Sequence, residues 1–451
     1  MRSFDVVVVG AGPAGEVAAG RLAERGLKVA IVEDRLVGGE CSYWACMPSK
    51  ALLRPYEALA EARRIPGAAQ AVTGELDVAA VLARRDEIIH DLDDDAQLPW
   101  LEEREIELIR GHARLTGERR LTVGDDELEA RRAVILATGS RPAVPPIPGL
   151  EEYDCKWTNR DATVAKEIPQ RLVILGGGVV GVEMSQAFQT LGSQVTLIEG
   201  ARRLIPNEEE FACIELTEAL EKLGVDIRTA QRAEKVEPND DGSVTVTTSD
   251  GGTAVGDKVL VALGREPATD DLGLETVGLE PGKTIKVDGH NRVPGHDWLY
   301  AIGDINGKAL FTHMGKYQAR VSADAILGHD HVVAHGADGR LSPRVIFTEP
   351  QVAAVGHTTE TAAEAGLVVD TYTTSTSGNA GGSFYGREAP GTTQWIVDRE
   401  RRIVVGCTIT GAEVADFLHA ATIAIVGEVP IERLRHAVPS FPTRSEIWLN
   451  L

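Results

Sequence analysis

In the stretch Gly38-Gly39-Glu40-Cys41-Ser42-Tyr43-Trp44-Ala45-Cys46-Met47-Pro48-Ser49-Lys50, two cysteines five positions apart follow a glycine pair and precede a helical run. Thiols in that setting suit a redox disulfide. A helix opening near Cys41 brings unpaired backbone N–H groups and a positive dipole end there, favouring a thiolate at Cys41, and Lys50 falls one turn after Cys46 on the same face. A regular helix holds positions five apart too far from each other for an S–S bond, so the stretch predicts a distorted first turn, which the glycines permit. Two buried structural thiols, or half of a metal site, are the alternatives for the same residues. Zinc needs four ligands, and Cys155, Cys213 and Cys407 stand singly rather than at ligand spacing, so no metal is expected.

The elements around this stretch carry a second kind of chemistry. Phe4 to Val9 is β-branched, as a strand buried on both faces should be, and it ends in Gly10-Ala11-Gly12-Pro13-Ala14-Gly15 ahead of a helix reaching about Arg25. A further strand, Val29 to Val32, ends in Glu33. Strand, GxGxxG loop, helix and strand together form a dinucleotide fingerprint: the glycines let backbone approach a pyrophosphate at the helix N-terminus, and Glu33 accepts from a ribose hydroxyl. The pattern returns with a strand at Leu172 to Leu175, the loop Gly176-Gly177-Gly178-Val179-Val180-Gly181, a helix from Val182 to Leu191, and a strand Val195 to Ile198 ending in Glu199. Two such units in one chain imply electrons passing between two nucleotide cofactors.

Between the fingerprints, residues 51 to 110 read as helices with polar turns, and the acidic run Asp91 to Asp95 reads as a solvated face. A hairpin is expected around Leu121 to Ala130, then a strand Ala133 to Leu136 running into Ala137-Thr138-Gly139-Ser140-Arg141-Pro142. After the second fingerprint come a hairpin turning at Asn239 to Gly242, a strand Lys258 to Ala262, and Leu263-Gly264-Arg265-Glu266-Pro267, an echo of residues 136–142. A short strand Trp298 to Ile302 ends in Gly303-Asp304, where a carboxylate suits a sugar or ribityl hydroxyl. The last part reads as strands at Phe347 to Gly356, Trp395 to Asp398 and Ile403 to Ile409, a mobile Gly/Ser-rich loop from Ser375 to Gly391, and a helix Val414 to Val426. The expected fold class is α/β, with two Rossmann-like dinucleotide-binding domains and an α+β C-terminal domain. Its boundaries fall at 1–150, 151–268, 269–338 (a return to the first domain) and 339–451.

The chain of 451 residues is 43% hydrophobic and 25% charged, as a globular protein of several domains should be. A formal charge of −22 argues against nucleic acid and anionic membrane surfaces as partners, since both would repel it. No apolar run approaches the roughly 18 residues needed to cross a bilayer. An odd number of cysteines with no secretory leader ahead of them argues for a reducing compartment, so the expected location is cytoplasmic.

With both fingerprints, Gly-Gly-x-Cys-x4-Cys-x-Pro-Ser-Lys and the tail Phe441-Pro442-Thr443-Arg444-Ser445-Glu446 in view, the whole chain resembles the flavin-dependent pyridine nucleotide-disulfide oxidoreductases, the group of dihydrolipoamide dehydrogenase, glutathione reductase and mercuric reductase. The resemblance implies FAD on the first fingerprint, with Gly10, Gly12, Pro13, Ala14, Gly15, Glu33, Lys50, Thr138, Gly139, Gly303, Asp304 and His313 among its contacts. It implies Cys46 as the thiol against the flavin, Cys41 as the outer interchange thiol, and Lys50 with Glu183 as an ion pair at the flavin edge. NADH or NADPH is implied on the second, at Gly176, Gly178, Val179, Val180, Gly181, Glu183, Glu199 and Gly264. NADH is favoured because Glu199 accepts ribose hydroxyls and repels a 2′-phosphate, although Arg202 and Arg203 lie close behind. A homodimer is implied, the tail of one subunit completing the site of the other.

The departures from that pattern gather at one place. The disulfide reductases carry histidine where Phe441 stands, with Glu446 matching the glutamate that orients it, so the general base is missing. Base help of this kind is typically worth about 10²–10⁴ in rate, which makes ordinary dithiol–disulfide exchange slow; His436, the nearest histidine, lies five positions earlier. Tyr43 and Trp44 replace small residues between the cysteines, and Glu40 replaces a threonine near the flavin phosphates, so it must turn away or be neutralised. The expected acceptor is a disulfide, quinone or metal ion that needs little proton transfer. The alternatives are a reductase with a vestigial or sensor disulfide, and a proton-excluding variant like the ketopropyl-coenzyme M carboxylases.

Overall fold

The computed structural model describes residues 1–329, 338–386, 389 and 391–451. They belong to two compact units, the first comprising Met1–Pro48, Asp86–Pro142 and the described residues 265–329, the second Ser49–Arg85, Ala143–Gly264 and the described residues from 338 on.

The first unit is built on a parallel sheet in which Val29–Glu33, Arg2–Val9 and Asp126–Leu136 lie side by side, flanked by Glu107–Arg110 and Leu299–Ala301. Alternate residues of the first strand enter two different cores, Val7 and Val9 on one face, Val6 and Val8 on the other. That is why its sequence is apolar without alternation. The expected hairpin forms between Arg120–Val123 and the outer end of Asp126–Leu136, and the strand expected after it is the inner end of that same element. Asp94, in the acidic run, is buried rather than solvated: it accepts from Val37 N at 2.6 Å and pairs with Arg110 at 2.7 Å. One carboxylate thus satisfies both the amide that precedes the glycine pair and the guanidinium.

The second unit contains a five-stranded sheet centred on Arg171–Leu175, paired parallel with Gln194–Ile198 and Lys258–Val261. Its fingerprint helix is Val179–Thr190, so Val179 and Val180 belong to the helix and not the loop. The C-terminal residues form a separate antiparallel sheet around Gln351–Gly356 and Ile403–Gly411, covered by the helix Val414–Val426. The strand expected from Phe347 starts only at Gln351, because Pro350 has no N–H for the ladder. Of the loop expected to be mobile, Gly381 packs against Thr443 and Arg444 of the tail, while residues 387, 388 and 390 lie outside the described residues. Two parallel sheets with glycine loops and a terminal α+β sheet make up the α/β class expected. Among the described residues no helix is long and apolar enough to cross a membrane.

Candidate functional site

The cysteines stand on two helices. Gly38 and Gly39 take left-handed backbone (φ 108° and 61°), the short helix Gly39–Tyr43 carries Cys41, the chain breaks at Trp44 and Ala45, and the 19-residue helix Cys46–Arg64 begins at the second cysteine. This break is the distortion that the spacing requires. It brings the two side chains within hydrogen-bonding reach as half-buried thiols not joined to each other.

Their surroundings reverse one expectation. The hydrogen bond and charge of Cys46, together with burial, push the Cys41 thiol up, so a thiolate is disfavoured there, not favoured. A five-residue helix has little dipole to offer, and the neighbouring sulfur outweighs it. Thr312 and Lys316 act in the opposite direction. Thr312, the first residue of its helix, lies with its hydroxyl 3.3 Å from Cys46 Sγ. Thr312 is not among the contacts expected from the sequence; its neighbour His313, which is, lies exposed and stacks its ring on Phe311 at 5.5 Å. The available signal was position: the residue opening a helix just after a strand-end Gly-Asp. Tyr43 is buried, its hydroxyl donating to Asp93 O, and its ring meets Trp44 at 5.8 Å.

The two glycine loops have the same internal construction. An added Cβ at Gly10 would strike the backbone of Ala137, and one at Gly15 the backbone of Gly10; at Gly12 it would meet nothing within 4 Å. Gly176, Gly181 and Gly178 repeat this, with Ala262 in the place of Ala137. The outer glycines thus permit backbone-on-backbone packing, and the middle one opens onto free space at a helix N-terminus, a cradle that fits a pyrophosphate. Each loop is braced by the acid ending the next strand. Glu33 accepts from Ala11 N and Arg35 N at 2.8 and 2.9 Å, and burial raises its pKa. Glu199 accepts from Gly177 N and Ala201 N in the same way. Pro13 opens the first fingerprint helix, and Ala14 lies beside Gly303. Thr138 donates to Ala268 O at 2.8 Å, Gly139 is left-handed, and Asp304 accepts from Ser140 Oγ at 2.6 Å. Arg202 is exposed, and Arg203 is tied to Pro206 O.

In the second unit Lys50 Nζ lies 3.0 and 2.8 Å from the two oxygens of Glu183 and 4.6 Å from the Phe347 ring centre. Glu183 is buried and also accepts from Phe347 N, so its charge is offset twice. Val179 is exposed beside Gly178, and Gly264 is left-handed, its carbonyl accepting from Ala143 N. The tail belongs to this unit as well. Phe441 is 74% exposed, and Glu446 Oε2 is buried without a hydrogen-bond partner among the described residues. The cysteines lie in the other unit.

Residues 4–326 match the family model described as pyridine nucleotide-disulphide oxidoreductase, and residues 342–451 its dimerisation domain. A dihydrolipoyl dehydrogenase of Thermus scotoductus is 34% identical over 99% of this chain and 96% of its own length. A mercuric reductase of Staphylococcus aureus is 31% identical over 98% of this chain and 81% of its own. Among solved structures, the HOCl-induced flavoprotein disulfide reductase RclA from Escherichia coli superposes with a TM-score of 0.86 at 25% identity, covering 99% of both chains, and its Cu(II) complex with 0.85. The paired glycine cradles and the facing thiols thus have their counterpart in a known group, and this chain belongs to it: the pyridine nucleotide-disulphide oxidoreductases, FAD-dependent enzymes that use a pyridine nucleotide.

Proposed function

We propose that this oxidoreductase holds FAD on its first glycine loop and NADH on its second, and passes electron pairs through Cys41 and Cys46 to a small acceptor that needs little proton transfer from the protein. The carrying observation is the pair of facing thiols at the helix break, with Thr312 on Cys46. Bound flavin supplies the two-electron relay between reduced nicotinamide and sulfur. Gly12 admits the pyrophosphate, Glu33 has lone pairs left for a ribose hydroxyl, and Asp304 does the same for the ribityl chain. Lys50, fixed by Glu183, is the cation assigned to the flavin edge. Glu199 holds the adenosine ribose of NADH and rejects a 2′-phosphate. The domains run 1–150, 151–268, 269–338 and 339–451, and two chains associate through the last of them, placing Phe441 and Glu446 at the partner's thiols.

Two features argue for an acceptor other than an ordinary disulfide. Phe441 cannot carry a proton, and the hydrogen bond and charge of Cys46, with burial, push the Cys41 thiol up. A metal ion accepts electrons without a proton, and the relatives include a mercuric reductase and a structure solved as a Cu(II) complex. A quinone reduced directly by flavin is the second reading, and the raised Cys41 thiol favours it because the outer sulfur is then a poorer nucleophile toward a disulfide. Steady-state assays across lipoamide, glutathione disulfide, quinones, Hg(II) and Cu(II), repeated with Cys41→Ser, separate the two. Metal-ion reduction that disappears in Cys41→Ser supports the first reading. Activity confined to quinones and unchanged in Cys41→Ser establishes the second.

A further inference from the structure

Glu40 is a carboxylate in the segment that packs on the first glycine loop, where the flavin reading puts a dianion. Its neighbour Gly39 packs so closely on the first loop that a methyl there would sit 2.8 Å from the α-carbon of Gly12, the glycine facing the open cradle. An uncompensated charge beside a bound pyrophosphate opposes binding. The compensation comes from far along the chain. Arg265 Nη2 lies 3.4 Å from Glu40 Oε1, and both side chains are about four-fifths covered, at 21% exposure each. The guanidinium is held by more than this pair: Nε donates to Ser140 Oγ at 2.6 Å and Nη2 to Ser140 O at 2.8 Å. Ser140 in turn donates to Asp304, whose carboxylate lies 3.9 Å from Arg265 Nε. Arg265 opens the short strand that pairs antiparallel with Ser140–Pro142, which fixes its backbone beside these partners.

One cation therefore touches the short helix that carries Cys41, the strand Ser140–Pro142 and the Gly303-Asp304 turn, and the first and last of these each present a carboxylate to it. We infer that Arg265 is the internal counter-ion of the FAD site, cancelling Glu40 so that the cradle at Gly12 accepts a pyrophosphate, and that Glu40 in turn sets how much of that positive charge the cofactor feels. Arg265 acts as a positioning and charge-balancing residue, not as a catalytic one. The inference rests on the first loop being the FAD site.

The test is a mutant cycle read as FAD dissociation constants of the apoprotein, followed by quenching of flavin fluorescence, with circular dichroism reporting the fold. Arg265→Gln should weaken FAD by about tenfold or more, because it takes the cation away from Glu40 and Asp304. The double variant E40Q/R265Q should recover to within about threefold of the parent, and E40Q alone should bind more tightly than the parent. A double variant as weak as R265Q, or an E40Q that binds more weakly than the parent, overturns the inference. Should R265Q fail to fold, the E40Q arm decides alone, since that isosteric change removes only the charge. Gly12→Ala tests the underlying site separately: its methyl meets no protein atom within 4 Å and its backbone (φ −73°) suits alanine. Loss of FAD in Gly12→Ala with no coupling between Glu40 and Arg265 overturns only the counter-ion role, whereas unchanged FAD binding in Gly12→Ala removes the site itself.

Discussion

Residues 10–16 and 176–182 are two versions of one loop, alike in backbone and unlike in where they keep their acid. Six positions after its first glycine the first loop has Glu16, where the second has the fully buried Val182; the second loop's acid, Glu183, comes one position later, where the first has Val17. That single step turns Glu183 onto Lys50 and the Phe347 amide. Glu16 is offset only in part by Lys316, and burial raises its pKa to about 7. The chain beyond each strand-end acid differs as well. After Glu33 it doubles back onto Gly12 and delivers the cysteines, whereas after Glu199 it packs Leu204 and Ile205 onto Gly177. A shared nucleotide cradle thus fixes the class of ligand, and the residues hung beside it decide what is done there.

The comparison breaks most sharply at the third glycines. Gly15→Ala should strip flavin from the purified protein, and Gly181→Ala should keep the flavin while losing nicotinamide binding, since either methyl collides with backbone, an overpacking worth about 1–3 kcal/mol. Flavin absorbance with a nucleotide titration reads both, and the division of labour fails if Gly181→Ala also comes out colourless. Next in size, Phe441→His should raise lipoamide turnover by about 10²-fold and leave metal-ion or quinone reduction unchanged. An equal rise for every acceptor would show that proton transfer is not what phenylalanine withholds. Glu199→Ala should move the kcat/KM ratio toward NADPH by about tenfold, with Glu33→Ala leaving that ratio alone; the two acids are interchangeable in role if both shift it.

The smallest effect belongs to Glu16. Unfolded, it titrates near the ordinary value of 4.5; folded, near about 7. The folded state therefore holds an extra proton between those values. The resulting stabilisation is full below the ordinary carboxylate range and lost as pH rises through about 7. Glu16→Gln should raise apoprotein stability at pH 8 by about 1 kcal/mol and flatten the dependence between pH 5 and 8, as seen in urea midpoints. An unchanged slope would mean that Glu16 is ionised in the folded protein.

Both loops, both bracing acids and the need for a break between the cysteines were legible because each depends on residues close in sequence. The glycine spacing states the packing, and five intervening bonds state the distortion. What the sequence could not disclose arises across long separations. Thr312 reaches Cys46 over 266 positions, and Asp94 reaches Val37 over 57. No local periodicity encodes such meetings. The Cys41 expectation failed for a related reason: helix polarity is a local property, while the dominant influence was the other sulfur.

The construction of the cradles bears on how this protein is made. At each loop two of the three glycine contacts are main chain against main chain, set by the sheet and the helix that follow. A shape fixed by its own polypeptide needs no ligand to hold it, so the apoprotein should fold first and take up its cofactor as a separate event. Cells short of riboflavin should then accumulate a colourless, already folded form that awaits its pigment.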